Sequence, residues 1–211
     1  MIVLSGKEQR MIKLINIKLL ILILTLSSMV FSQPLFADDV TDSINEALDA
    51  YKEGEFSEAV DSLNYASQLI QQKKSENLTT FLPEPLEGWT SKKPKSNAAG
   101  ASMFGGGITA TRQYIKGKNN ITIEIMADSP MLQSMMMMFS NPMYATSDGG
   151  KLEKIKRQKA IVKFDPDTAR GDIKIVIANR FLVTVKGNKT TVEDLKAYAK
   201  AIDYKKIAAM Q

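Results

Sequence analysis

The sequence predicts an α+β fold: an N-terminal helical hairpin, then an antiparallel meander sheet covered by a methionine-rich helix and a C-terminal helix. Three observations carry this. Between Ile108 and Lys186, short runs alternate apolar and polar residues, the pattern of half-buried strands. Apolar residues recur at helical spacing in three other places, within 40–76, 131–139 and 192–202. The links between successive strand-like runs hold only a few residues, which forces antiparallel pairing.

The methionine-rich stretch Ser129–Pro142 reads as one short helix laid on the sheet. Ser129 is placed to cap it, and Pro130 to occupy the first helical position, where a missing donor costs nothing. Pro142 ends it, because the residue before a proline is pushed out of the helical region. Met131, Leu132, Met135, Met136, Met138 and Phe139 fall on one arc, with Gln133, Ser134 and Ser140 opposite. Met137 lands among the polar residues.

Residues 1–37 have the pattern of a secretory leader. Met11 is followed by Lys13 and Lys18, then by the apolar run Leu19–Phe31, then by Ala37 ahead of Asp38-Asp39. The run is short for a stable membrane span. The expectation is export to the periplasm with cleavage; an uncleaved anchor is the other possibility. No cysteine follows the run, which excludes a lipid-bearing N-terminus. The mature chain would be Asp38–Gln211, in two parts: a helical hairpin at 38–76 and an α+β domain at 77–211. The net charge of +5 falls to +2 once the leader is set aside, with 24 basic and 22 acidic residues left. That balance gives no reason to expect nucleic acid.

Within the hairpin, Val40, Ile44, Ala47, Leu48 and Tyr51 keep helical spacing, and Gly54 separates the two helices. Asn45–Leu69 resembles a single tetratricopeptide repeat. Gly54-Glu-Phe-Ser-Glu-Ala-Val60 matches the start of its second helix, and Ala59, Leu63 and Ala66 match its small–large–small contacts. One such repeat cannot bury both its faces, so the hairpin either docks on the next domain or serves as a small interaction module; docking is the expectation, with Tyr51, Leu63 and Leu69 needing a partner surface. Lys73–Thr80 is polar and reads as a linker.

The second domain starts at Leu82–Trp89, kept extended by Pro83 and Pro85. Trp89, the only tryptophan, is expected to anchor the core at the edge of the sheet. Residues 92–107 read as a glycine-rich mobile loop. It lacks the ending of a phosphate loop and the spacing of a dinucleotide fingerprint. Strands are expected at Ile108–Lys116, Asn120–Ala127, Lys151–Gln158, Lys159–Phe164, Asp172–Ala178 and Phe181–Lys186. Thr190 with Glu193 suggests a capping box for the last helix, whose inner side is Val192, Leu195, Ala199 and Ile202.

With Gly-Trp89, Lys159-Ala-Ile-Val-Lys-Phe164 and a closing helix ending in Ala201-Ile-Asp-Tyr204, the second domain resembles small exported α+β domains of the PsbP-like type. With Phe104-Gly-Gly-Gly107 and Ala127-Asp-Ser-Pro130 ahead of the methionines, it also resembles an uncharacterised secreted family of proteobacteria. Both resemblances imply binding or scaffolding rather than catalysis.

The chain has no cysteine and no histidine, which removes the usual nucleophile–base pairs and the usual zinc and haem ligands. No Ser-x-x-Lys occurs. Asp165, Asp167 and Asp172 crowd one turn without the spacing of a calcium loop. Three classes remain. The first is a non-enzymatic envelope protein binding a protein or a small apolar ligand through the glycine-rich loop, the methionine helix or the helical hairpin, with apolar residues Met103, Phe104 and Met137 in places that ought to be polar, and with no cofactor. The second is a Cu(I) carrier using Met131, Met135 and Met138, since thioethers suit that ion. The third is an enzyme of unrecognised type.

Overall fold

Helix α1 (Asp39–Glu53) opens the described chain and leads through Gly54, at φ 84°, into helix α2 (Phe56–Leu78). The computed structural model describes residues 38–98, 107–141, 143, 146 and 149–210. From Asp39 on they belong to one compact unit. The two helices meet through small side chains. Ser43, Ala47 and Ala50 of α1 and Ala59, Ser62 and Ala66 of α2 are all buried.

The linker expected at Lys73–Thr80 is instead helical. Helix α2 runs unbroken for 23 residues and ends in a single 3₁₀ turn, Thr79–Phe81. Polar composition misled here because only one side of this last stretch is wet. Ser75 is buried and donates to the Gln72 carbonyl at 2.8 Å, and Leu78 is wholly enclosed by the main core.

Eight strands follow in one antiparallel sheet: β1 (Thr90–Ser91), β2 (Lys95–Asn97), β3 (Ile108–Lys116), β4 (Asn119–Ala127), β5 (Lys151–Ile155), β6 (Gln158–Asp165), β7 (Arg170–Ile177) and β8 (Phe181–Asn188). Their order is β1-β3-β4-β8-β7-β6-β5, and β2 lies beyond β1 along the same edge of β3. The α+β class is thus as the sequence predicts. Strands β1 and β2 were not foreseen. Lys95–Asn97 pairs with Thr109–Thr111, so part of the expected loop is a sheet edge.

Side chains alternate across the sheet, and the two faces differ. One face carries Tyr114, the Ile121, Ile123 and Ile125 row, Ile173, Ile175, Val183 and Val185, all completely buried. Helices α4 (Val192–Ala201) and α5 (Tyr204–Ala208) close this face with Leu195, Tyr198, Ile202 and Ile207, and α2 adds Leu78. Trp89 is buried as expected, edge-on to Tyr198 at a centroid distance of 5.2 Å.

The methionine helix α3 (Met131–Ser140) does not share that cover. It lies on the opposite face, where Phe139 packs on Ile161, with Met135, Met138 and Val176 around them. Ile161 and Val176 sit one residue out of step with Ala160 and Ile175 of the main core, which is why they point the other way. The helix therefore heads a small second cluster rather than the centre of the fold. Leu132 and Phe139 are its buried residues, and Met135, Met136 and Met138 are half-buried. Pro130, not Ser129, takes the cap position and already has helical angles.

Two other details depart from expectation. The C-terminal helix is capped by Thr191 rather than Thr190: Thr191 Oγ1 accepts from the Asp194 amide at 3.1 Å. The β5–β6 turn is Lys156-Arg157, both at positive φ (45° and 70°), two residues earlier than the Gln158–Lys159 junction. Neither residue advertises such a turn. The nearby C-terminal segment helps fix it, since Lys156 Nζ donates to the Ile202 carbonyl at 2.9 Å and lies over the Tyr204 ring.

Candidate functional site

The hairpin builds an exposed apolar groove. Helix α1 sets out Ile44, Leu48 and Tyr51 at i, i+4 and i+7. Helix α2 sets out Phe56, Val60 and Leu63 at the same spacing. Small residues take up the contact between the helices, so the six large side chains stand clear on either side of a groove floored by Ala47 and Ala59. The groove encloses about 430 Å³, and every residue lining it is apolar. The six are exposed, between 44% for Ile44 and 64% for Phe56. Tyr51 and Phe56 meet edge to face at 5.8 Å across the Gly54 turn and close one end.

This overturns the expected docking of the hairpin through its large apolar side chains. Helix α2 does pack on β2 and β3, but through its C-terminal half. Tyr51 and Leu63 face solvent, and Leu69 is half-buried. A contiguous exposed apolar patch of this kind is uncommon on the surface of a monomeric protein.

Of the residues singled out from sequence, Met137 is 69% exposed, as its place among polar residues requires. Met103 and Phe104 lie outside the described residues. Met137 is carried by a helix on the other side of the sheet from the main core. Met135 and Met138 are engaged in packing around Phe139 and Ile161. The side chain of Met131 is outside those described. Among the described residues, no three or more acidic, histidine or cysteine side chains converge as metal ligands. Asp165 spends both oxygens on its own turn, accepting from Thr168 Oγ1 at 2.8 Å and from the Asp167 amide at 2.9 Å.

The strongest polar constellations hold the structure together. Arg112 grips Glu84 with both terminal nitrogens, at 2.9 and 3.0 Å, and also donates to the Pro83 carbonyl at 3.0 Å. The Tyr114 hydroxyl donates to that same carbonyl at 2.7 Å, and burial pushes the phenol well above its ordinary range, so it stays a donor. These bonds fasten the Leu82–Trp89 segment to β3.

No helix among the described residues is long and apolar enough to cross a membrane. No family model, curated protein or solved structure matches the chain.

Proposed function

We propose that this is a non-enzymatic binding or scaffolding protein of the bacterial envelope, exported by its leader, whose working surface is the groove of the α1–α2 hairpin. The single observation behind this reading is that six large apolar side chains line an open cleft at matching i, i+4, i+7 spacing. Small-molecule sites combine apolar walls with a few polar groups that fix orientation, and this groove has none in its lining. Two parallel apolar stripes suit an amphipathic helix, which is recognised through side chains repeating at that same spacing. The sheet domain, stapled to α2, serves as the rigid base.

A photo-crosslinking residue placed at Leu48 in the exported protein tests this. The expected result is a protein adduct from Leu48 that is absent from a probe at Lys118, in the β3–β4 turn, and that Val60→Asp abolishes. Equal adducts from both probes, or none from Leu48, would overturn the proposal. Copper is not needed for this reading.

A further inference from the structure

We propose that the sheet face carrying the methionine helix is a contact surface for an anionic phospholipid bilayer, held by Lys154 and Lys159 and entered by Met137, Met143 and Leu152. This goes beyond the groove reading and does not rest on it. Two observations carry it, and both fall on the same face. The first is a concentration of positive charge. The β5–β6 hairpin, residues 151–159, holds five cations, Lys151, Lys154, Lys156, Arg157 and Lys159, against one carboxylate, Glu153. All five cations are exposed. Glu153 turns to the main-core face, where it pairs with Lys196 of α4 at 2.7 Å. Lys154 and Lys159 stand directly opposite each other in register on the other face, next to the Leu152–Ile161 pair. Like charges so placed destabilise a sheet. Neither lysine makes an ion pair among the described residues.

The second is an uncharged, exposed apolar surface beside those lysines. Residues 129–147 hold no charged side chain. Helix α3 seats Phe139 on Ile161, which turns Met137 away from the sheet. Met137 and Met143 are the most exposed large apolar side chains among the described residues, and Leu152 is exposed on the strand beside them. The carboxylates that the strands turn to this face are Glu124, Asp165 and Asp172; Asp165 is held in its own turn, and Asp172 pairs with Lys174 at 3.2 Å. Protection of a sheet edge accounts for lysines on β5, the last strand, but not for Lys159 on β6 or for the exposed Leu152. A soluble polyanion would engage the lysines and leave the methionines idle. An anionic bilayer engages both, with lysines at the headgroups and apolar side chains just below them.

The experiment is co-sedimentation of the full chain from Asp38 with vesicles of phosphatidylglycerol mixed into phosphatidylcholine, and with vesicles of phosphatidylcholine alone. The expected result is at least about tenfold tighter binding to the anionic vesicles, weakening as added salt screens the lysines. Lys154→Thr with Lys159→Thr should weaken binding about twentyfold, or about fivefold per lysine. Met137→Asp should weaken it at least about tenfold, because a carboxylate is then pressed against the anionic surface. Leu48→Asp, in the groove, should bind as the wild type does. Matched melting temperatures establish that these exposed variants are folded. Sedimentation with neither vesicle, equal binding to both, or unchanged binding in the double lysine variant would overturn the proposal. Capture by heparin beads that survives in Met137→Asp, with vesicle binding also unchanged in that variant, would replace the bilayer with a soluble polyanion. Vesicle binding lost in Leu48→Asp would move the bilayer contact to the groove and overturn this face. The crosslinking result at Leu48 judges the groove separately.

Discussion

Arg180, in the turn before β8, holds Asp128, just past the end of β4, with Nε to Oδ1 at 2.7 Å. The contact is reciprocal, since the Asp128 amide donates to the Arg180 carbonyl at 3.3 Å. Lys74 of α2 takes the other carboxylate oxygen at 2.9 Å, and Arg180 also donates to the Met210 carbonyl at 2.8 Å. One carboxylate thus ties together the long helix and two strand ends, and Arg180 extends the link to the C-terminus.

Those cations set a pH dependence. Hydrogen bonding from Arg180 first, then from Lys74, holds the Asp128 carboxyl below its ordinary range, against the opposing effect of burial. Because the folded value is the lower one, its contribution is complete above the ordinary aspartate range, near pH 4, and fades as pH falls through the folded value. Asp128→Asn keeps a residue that tolerates the positive φ here, so it tests charge alone. A loss of about 1 kcal/mol at pH 7 is expected, modest because the site is one-third exposed. Denaturant titrations should show the gap between variant and wild type narrowing by pH 3. A gap that stays constant across that range would show that charge is not the cause.

Gly187 lies against Thr190 and Leu195 of the segment that forms α4. A Cβ there would overlap Thr190 Cγ2 and Leu195 Cδ2. Gly187→Ala should cost about 1–3 kcal/mol, the usual range for overpacking a close-fitted site. A double variant with Leu195→Ala should be less destabilised than the sum of the two single changes, because one opens the room that the other needs. Strict additivity in chemical denaturation would show that the two side chains do not compete.

The methionine helix should respond in graded fashion. Phe139→Ala empties a buried site and is expected to cost about 3 kcal/mol. Met135→Ala, at a half-buried position, should cost about 1–2 kcal/mol, less than a full core truncation. Met135→Leu should stay under about 1.5 kcal/mol, and exposed Met137→Ser within about 0.5 kcal/mol of wild type. A melting series on the four variants checks the order. A Met137→Ser loss as large as that of Phe139→Ala would place the wrong face of the helix on the sheet.

The Lys156-Arg157 turn offers a stabilising change. Arg157 holds φ at 70°, where a Cβ is unfavourable and glycine is not. Arg157→Gly should raise stability by about 0.5–1 kcal/mol. Lys156→Gly should fail to do so, because it removes the bond to the Ile202 carbonyl along with the strain. Equal gains from the two variants in matched melts would show that the Lys156 contact contributes nothing.

Much of the fold was legible because it depends on local signals. The alternation of Ile121, Ile123 and Ile125 with Thr122 and Glu124 located β4, and the repeat of Leu195, Ala199 and Ile202 located α4. The misses share a cause. Polar residues at 73–78 were helical because Ser75 and Leu78 found a buried side. The β5–β6 turn was shifted because its strain is offset from a segment 46 residues away. The groove was the largest difference: Tyr51 and Leu63 were expected to dock, with an interaction module as the alternative, and both face solvent.

What the sequence determined by itself is the periodicity: which stretches are helix or strand, and which residues form each apolar arc. That follows from backbone geometry, which fixes the spacing of side chains whatever they meet. Only the tertiary structure decided what each arc meets. Ser43, Ala50, Ser62 and Ala66 let α1 and α2 approach closely, so the larger Leu48 and Val60 were turned outward to line a groove. Likewise, the register of β6 on β7 puts Ile161 and Val176 on the face opposite Ala160 and Ile175, so α3 and α4 lie on opposite sides of the sheet. A hydrophobic arc is a property of one segment; its burial is a property of two.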